Sequence, residues 1–325
     1  MNLLQIMAEL INNETLSLLL AAIFFIFLYR WSSTSASSST RKNSPPSPPK
    51  LPIIGNLHQL VSPRSPPHRL LGALSQVHGP LMHLHFGSVP VLVVSSPEAA
   101  QAIMKTHDLT FSSRPESTVS RKLLYNSKDV ATAPYGEYFR QLKSICVMNL
   151  LSTKRVRSYR GLREEETKAM IKQIRDSKGV VNLRDMIMTL THNVLSRVAL
   201  GKSYYSDGGF KELSVEHTTL LGSLYIGDYI PWLGWLSRVT GLDAKLDKVA
   251  KRFDDFFDVV VQEHIDCTDQ KEEGEKDFID LLLEIQKENS PGFRIDRIGI
   301  KGVLMDMFVA GVDTTAVVLE WPGHG

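Results

Sequence analysis

The chain has 325 residues and a formal net charge of +2, with 43% apolar and 22% charged residues. That length allows one or two globular domains, and so small a charge gives no argument for nucleic acid as a partner. Two cysteines, Cys146 and Cys267, exclude a disulfide-rich scaffold and are too few for a structural zinc site, which points to a reducing, cytosol-facing compartment.

From Thr15 to Tyr29 the sequence TLSLLLAAIFFIFLY carries no charge. As a helix it reaches about 22 Å; extension back through Leu10 and Ile11, with Tyr29 and Trp31 at the interface, approaches the ~30 Å hydrocarbon core. Glu9 and Glu14 precede the run, and Arg30, Arg41, Lys42 and Lys50 come after it. A cleaved signal peptide wants a basic start. The pattern therefore predicts a single-pass anchor over residues 1–31, lying in membrane lipid, with the body facing the cytosol. A serine tract at 32–39 reads as a flexible tether. Prolines 45, 46, 48, 49 and 52 stiffen the chain beyond the tract, so residues 32–52 form a linker and hinge.

Residues 81–94 alternate in the manner of a β-hairpin turning at Gly87-Ser88, with Met82, Leu84 and Phe86 on one face. His83 and His85 share the other face, with no third metal ligand near them in sequence. Ser96-Pro97 reads as the cap and first position of a helix. After Asp108 the pattern is helical to the end, broken by loops near 110–134, 201–210, 227–243 and 267–276. Within the charged stretch after Lys154, Glu164 and Lys168 form a favourable i, i+4 pair. The expected fold class is mainly α with a small β-sheet, an α+β pattern.

The last helix, predicted from Ile298 to Trp321, contains MFVAGVDTTAVVLEW. Asp306, Asp313 and Glu320 recur every seven residues among apolar neighbours. A helix apolar nearly all round is a buried one, and a buried Asp313 must be paired or must serve as a proton carrier. Gly311 costs about 1 kcal/mol relative to Ala, which makes sense where something approaches the backbone closely. Thr314 can bond back to the Ala310 carbonyl and bend the helix. On this helix alone a purely structural reading, with the threonines satisfying themselves and Asp313 paired to a distant cation, stands beside the catalytic one.

Four stretches taken in order resemble one family. Ala310-Gly311-Val312-Asp313-Thr314-Thr315 resembles the central-helix motif of the cytochrome P450 monooxygenases. PPSPPKLPIIGNLHQL (45–60) resembles their proline hinge, TFSSRP (110–115) the entry to the loop over the substrate pocket, and APYGEYFRQLKSIC (133–146) the helix that contacts the haem propionates. The wording is nearest to plant microsomal members of the seventy-one clan. The resemblance implies a partial monooxygenase domain over 53–321, haem b as cofactor and an endoplasmic-reticulum location. It implies insertion of one oxygen atom into a small lipophilic substrate, with electrons from an NADPH-dependent reductase. Ala310 and Gly311 would line the oxygen groove, and Asp313 and Thr314 would relay protons. Phe139, Arg140 and Lys143 would lie on the propionate side. Residues 117–132 and 213–225 would shape the pocket.

The chain departs from the family pattern in three places. Phe139 and Lys143 stand where the family usually has Trp and Arg, which removes an indole donor and a bidentate fork. The axial Cys loop and the Glu-x-x-Arg helix that precedes it are absent, and neither Cys146 nor Cys267 sits in suitable surroundings for an iron ligand. Pro322 comes directly after Trp321, and PGHG (322–325) resembles nothing in the family. The sequence therefore also predicts a second reading, a C-terminally truncated, membrane-anchored and catalytically inactive remnant with its central helix partly uncovered.

Overall fold

The computed structural model describes residues 18, 19, 21–26, 44–62, 65–204, 209–267, 276–288 and 295–320. Two compact units divide the chain, Met1–Ile103 and Met104–Gly325. Of the predicted anchor, 18, 19 and 21–26 are helical, and Leu18, Leu19, Ile23, Phe24, Phe25 and Ile26 are all exposed. The rest of 1–31, the serine tract and the 322–325 tail lie outside the described residues.

In the first unit, helix α1 (Pro67–His78) precedes strands β1 (Leu81–Phe86) and β2 (Val89–Val94), and helix α2 spans Pro97–Gln101. The strands pair antiparallel with Leu81 opposite Val94 and Phe86 opposite Val89, so the turn falls on Gly87 and Ser88 as the alternation predicts. Met82 and Leu84 are fully buried. The Ser96 hydroxyl accepts from the Ala99 N–H at 3.2 Å, capping α2.

The proline-rich stretch is held along β1 by Asn56. This residue is completely buried. Its amide donates to the carbonyls of Pro48 and Pro49, and its side-chain oxygen accepts from the His85 N–H at 2.8 Å. The backbone N–H of Asn56 reaches the His85 carbonyl at 2.6 Å, and that of His83 reaches Pro46 at 2.9 Å. Prolines offer carbonyls but no N–H, so one buried amide satisfies two of them. Gly55 fits this crossing because it has φ +60°, and a Cβ there would lie 2.2 Å from the His85 oxygen.

The second unit is helical. Its main elements are α3 (Thr118–Leu123), α4 (Glu137–Ile145), α5 (Arg160–Asp176), α6 (Leu183–Leu200), α7 (Phe210–Leu221), α8 (Leu242–Cys267), α9 (Phe278–Glu288), α10 (Arg297–Gly311) and α11 (Asp313–Glu320). The predicted loops at 110–134 and 227–243 contain short helices, α3 among them. No residue of α5 is buried. Glu164 bonds Arg160 at 2.7 Å, one turn before it, and the charge of Lys168, one turn after it, also stabilises its carboxylate. Both arrangements satisfy i, i±4 spacing, and sequence cannot choose between two cations flanking one carboxylate.

Helix α10 forms the centre of this unit. Asp296 caps its start by accepting from the Gly299 N–H at 2.7 Å. Phe308 meets Phe210, Phe257 and His192 at ring-centroid distances of 5.4, 6.2 and 6.4 Å. Lys301 is 4% exposed, and its ammonium lies 2.7 Å from both Asp254 and Asp258 of α8. A buried cation is tolerable only with such partners.

Candidate functional site

The predicted continuous helix is broken. Helix α10 stops at Gly311 and α11 begins at Asp313, with Val312 between them at φ −85° and ψ −70°. The expected back-bond is present at this break: the Thr314 hydroxyl donates to the Ala310 carbonyl. Ala310 and Thr314 are exposed and Asp313 is half-buried. With its proton committed to Ala310, the Thr314 oxygen keeps its lone pairs for an incoming donor.

The break also separates the three acids that the sequence places on one stripe. Asp313 and Glu320 line a cleft of about 460 Å3 with Arg184, Asp185 and Lys211. Asp306 lines a different, apolar cavity of about 420 Å3, shared with Cys146, Tyr159, Met307, Ala310 and Gly311. The open side of Gly311 faces Leu195 of α6, whose Cδ1 would lie 2.6 Å from an added Cβ. The group that approaches this backbone closely is therefore a leucine side chain.

Sequence reasoning singled out Asp313; the structure also draws Asp306 into the loop before α4. Its carboxylate accepts from the Val130 N–H at 2.6 Å and the Ala131 N–H at 3.3 Å. Burial, joined by the charge of fully buried Asp129, pushes its pKa up to about 8. The heptad spacing contained Asp306 but gave no sign of Asp129, which comes from a loop.

On α4, Lys143 stands over Phe139 with its ammonium 5.7 Å from the ring centroid, so the two share a face as predicted. Arg140 and Lys143 are exposed. These cations fit the carboxylates of a haem edge. The iron side does not fit. Haem-thiolate chemistry needs a deprotonated sulfur. Burial, reinforced by Asp306, pushes the Cys146 thiol up to about 12, so it keeps its proton at neutral pH. Cys267 is exposed at the last position of α8. Neither sulfur is placed to serve as the thiolate.

Residues 45–322 match the family model for cytochrome P450. The chain is 58% identical to cytochrome P450 736A117 of Prunus mume, over 99% of its own length and 64% of the relative's. It is 50% identical to cytochrome P450 71A26 of Arabidopsis thaliana, over 86% and 56% of the two chains. It is also 46% identical to a norfluorocurarine oxidase of a Strychnos species, over 97% and 64%. A zebra fish cytochrome P450 structure with progesterone shares the fold, with a TM-score of 0.62 over 79% of this chain and 59% of that one, at 22% identity. The chain thus spans less than two-thirds of the length of these relatives. Family motifs in order, a matching fold and close relatives agree: the chain belongs to the cytochrome P450 family.

Proposed function

We propose that this chain carries the oxygen-side and propionate-side portion of a haem monooxygenase and does not turn over by itself. Haem is the cofactor of the family; when bound it supplies the oxygen-activating chemistry. Arg140 and Lys143 would meet its carboxylates, and Asp313 with Thr314 would hold and pass protons beside Ala310 and Gly311. The exposed Thr314 hydroxyl at the helix break supports that assignment, because a water can donate to it. The whole enzyme of this lineage would insert one oxygen atom into a small lipophilic substrate, with electrons from an NADPH-dependent reductase.

An anchor over 1–31 at the endoplasmic-reticulum membrane belongs to the same reading. The exposed apolar side chains at 18, 19 and 23–26 support it. The one stretch among the described residues long and apolar enough to cross a membrane is Arg297–Glu320, α10 and α11 together, and its α10 part is buried in the core.

The observation that carries the proposal of inactivity is the state of the two sulfurs, one protonated and enclosed beside Asp306 and the other exposed at a helix end. The test is the reduced, carbon-monoxide-bound spectrum of the chain expressed with a haem supply. The expected result is no red-shifted thiolate-type Soret band. Such a band in the wild-type chain, lost in C146S or C267S, would overturn the reading.

A further inference from the structure

Three buried side chains meet where the end of α8 lies against the start of α9. His264 is 7% exposed, Asp277 5% and Asp280 1%. One nitrogen or oxygen from each lies within 4.8 Å of those of the other two. The two acids face each other across the first turn of α9. Asp277 Oδ1 accepts from the Asp280 N–H at 3.2 Å, and Asp280 Oδ2 accepts from the Asp277 N–H at 3.1 Å. This reciprocal cap uses one oxygen of each residue, and bonds from N–H donors favour the ionised carboxylate. The second oxygen of Asp277, Oδ2, fills space left by Gly201 at the end of α6, where an added Cβ would lie 2.6 Å from it.

The geometry of the histidine makes it a cation. Its Nδ1 lies 2.8 Å from the Val260 carbonyl, and its Nε2 lies 3.1 Å from Asp277 Oδ2. A carbonyl can only accept, so Nδ1 carries a hydrogen. In a neutral ring Nε2 would then turn a lone pair toward a carboxylate oxygen inside the core, where an unmatched polar pair is costly. A hydrogen on each nitrogen removes the conflict and gives both donors an acceptor. Burial opposes the charge, but the Asp277 bond, the Val260 carbonyl and the charges of Asp277 and Asp280 outweigh it. They hold the pKa of His264 above its ordinary value.

Other charged groups surround the cluster. On α8, Glu263 accepts from Lys202 at 2.9 Å and from Tyr204 at 3.0 Å, and Asp266 accepts from Gln262 at 2.9 Å. Before α9, Lys276 pairs with Glu284 at 2.5 Å. Tyr159, at the start of α5, is close enough to feel the charge of Asp277, and burial keeps it a neutral phenol. Lys154 and Arg155 line a cleft with Tyr159 and Lys276. None of these cations displaces the imidazole from Asp277 Oδ2.

We propose that His264 is held as a buried imidazolium whose proton joins the end of α8 to the first turn of α9, so that loss of this proton opens the joint. No residue assigned to the haem side takes part in it. His264 is a positioning residue for α9, and the joint is a pH-sensitive element separate from the oxygen chemistry.

Linkage fixes the direction. In the opened state a solvated imidazole titrates near ~6.5, and in the closed state it keeps its proton to a higher pH. The stabilisation is complete below the lower value and is lost as pH rises through the higher one. Between the two, opening releases one proton and becomes about tenfold easier per pH unit.

Amide hydrogen exchange of the full chain in detergent reads the opening, on peptides covering Asp280 and Leu281 and corrected for intrinsic rates. Wild-type protection is flat below about pH 6.5, falls with that slope above it and then levels off. H264Q keeps an uncharged donor for Asp277, so its protection has no slope. Exchange of the ring C2–H of His264, followed by mass spectrometry on the wild-type chain, gives the titration of this residue without any substitution. Its midpoint lies above that of an exposed histidine in the same chain. In D277N the amide can donate to Nε2 of a neutral ring, and the midpoint falls below that of the exposed histidine. Treatment with a chelator leaves the wild-type profile unchanged. A flat wild-type profile, a slope that persists in H264Q, a His264 midpoint at or below the exposed value, or protection lost on chelation overturns the proposal.

Discussion

Between Arg297 and Gly311 the central helix is covered on nearly all sides, with nine of its fifteen residues buried from Gly299 to Phe308. Between Asp313 and Glu320 only Ala316 is buried, and Val317, Val318 and Leu319 are 46%, 69% and 50% exposed. Both halves carry an apolar run, and the sequence predicts one buried helix through both. The difference lies in what surrounds them. Helices α6 to α9 enclose the first half, whereas among the described residues α6 is the main neighbour of the second. An apolar run states what a helix can bury. Whether it does so depends on partners elsewhere in the chain.

The most forceful way to break this comparison is to shorten one apolar side chain in each half. Phe308 sits among Phe210, Phe257 and His192, so Phe308→Ala opens a cavity and costs about 3–5 kcal/mol of helix opening free energy. Val318→Ala removes surface that is already in water and changes little, within about 0.5 kcal/mol. Hydrogen-exchange protection of the two helix segments measures both. Comparable losses would show that the second half is packed as tightly as the first.

What could be read from sequence obeys the same division between local and distant causes. The 81–94 hairpin, the Ser96 cap and the Thr314 back-bond each depend on residues within a few positions, and all three stand in the structure. The attachment of Asp306 to Val130 joins residues 176 apart, and no periodicity encodes it. The same applies to Leu195 beneath Gly311. The sequence signals a close approach there, but the approaching group comes from α6 and could not be named. At the candidate site Phe139 and Lys143 were legible as a pair through i, i+4 spacing. The environment of Asp306 was not, because burial and a neighbouring charge from a loop decide it.

A smaller effect sharpens the comparison at its boundary. Gly311→Ala adds a methyl group 2.6 Å from Leu195 Cδ1. Helix propensity gains about 1 kcal/mol, and overpacking costs about 1–3 kcal/mol, less where the neighbour is the end of a flexible side chain. The expected net is a loss of about 1 kcal/mol in α10 protection. In a Leu195→Ala background the same substitution becomes favourable, because the obstructing atoms are gone. A double-mutant cycle therefore gives a coupling of about 2 kcal/mol. Additive effects would mean that the contact at the end of α10 does not constrain the break.

The smallest effect belongs to Thr314→Val, which keeps the shape of the side chain and removes its hydroxyl. The Ala310 carbonyl then loses the side-chain donor that occupies it, and the backbone N–H of residue 314 becomes its natural partner. Both states carry one bond to that carbonyl and both side chains are β-branched, so stability moves by no more than about 0.5 kcal/mol. The amides around Val312 should nevertheless exchange more slowly in the variant, because the helix closes over the break. The Ala316 N–H already reaches the Val312 carbonyl at 3.0 Å, so the second half keeps its own register. If protection across 312–315 stays as it is in the wild type, the hydroxyl is not what divides the helix. The cause would then lie in the uneven cover on its two halves, with Leu195 packed under Gly311 and open surface beyond it.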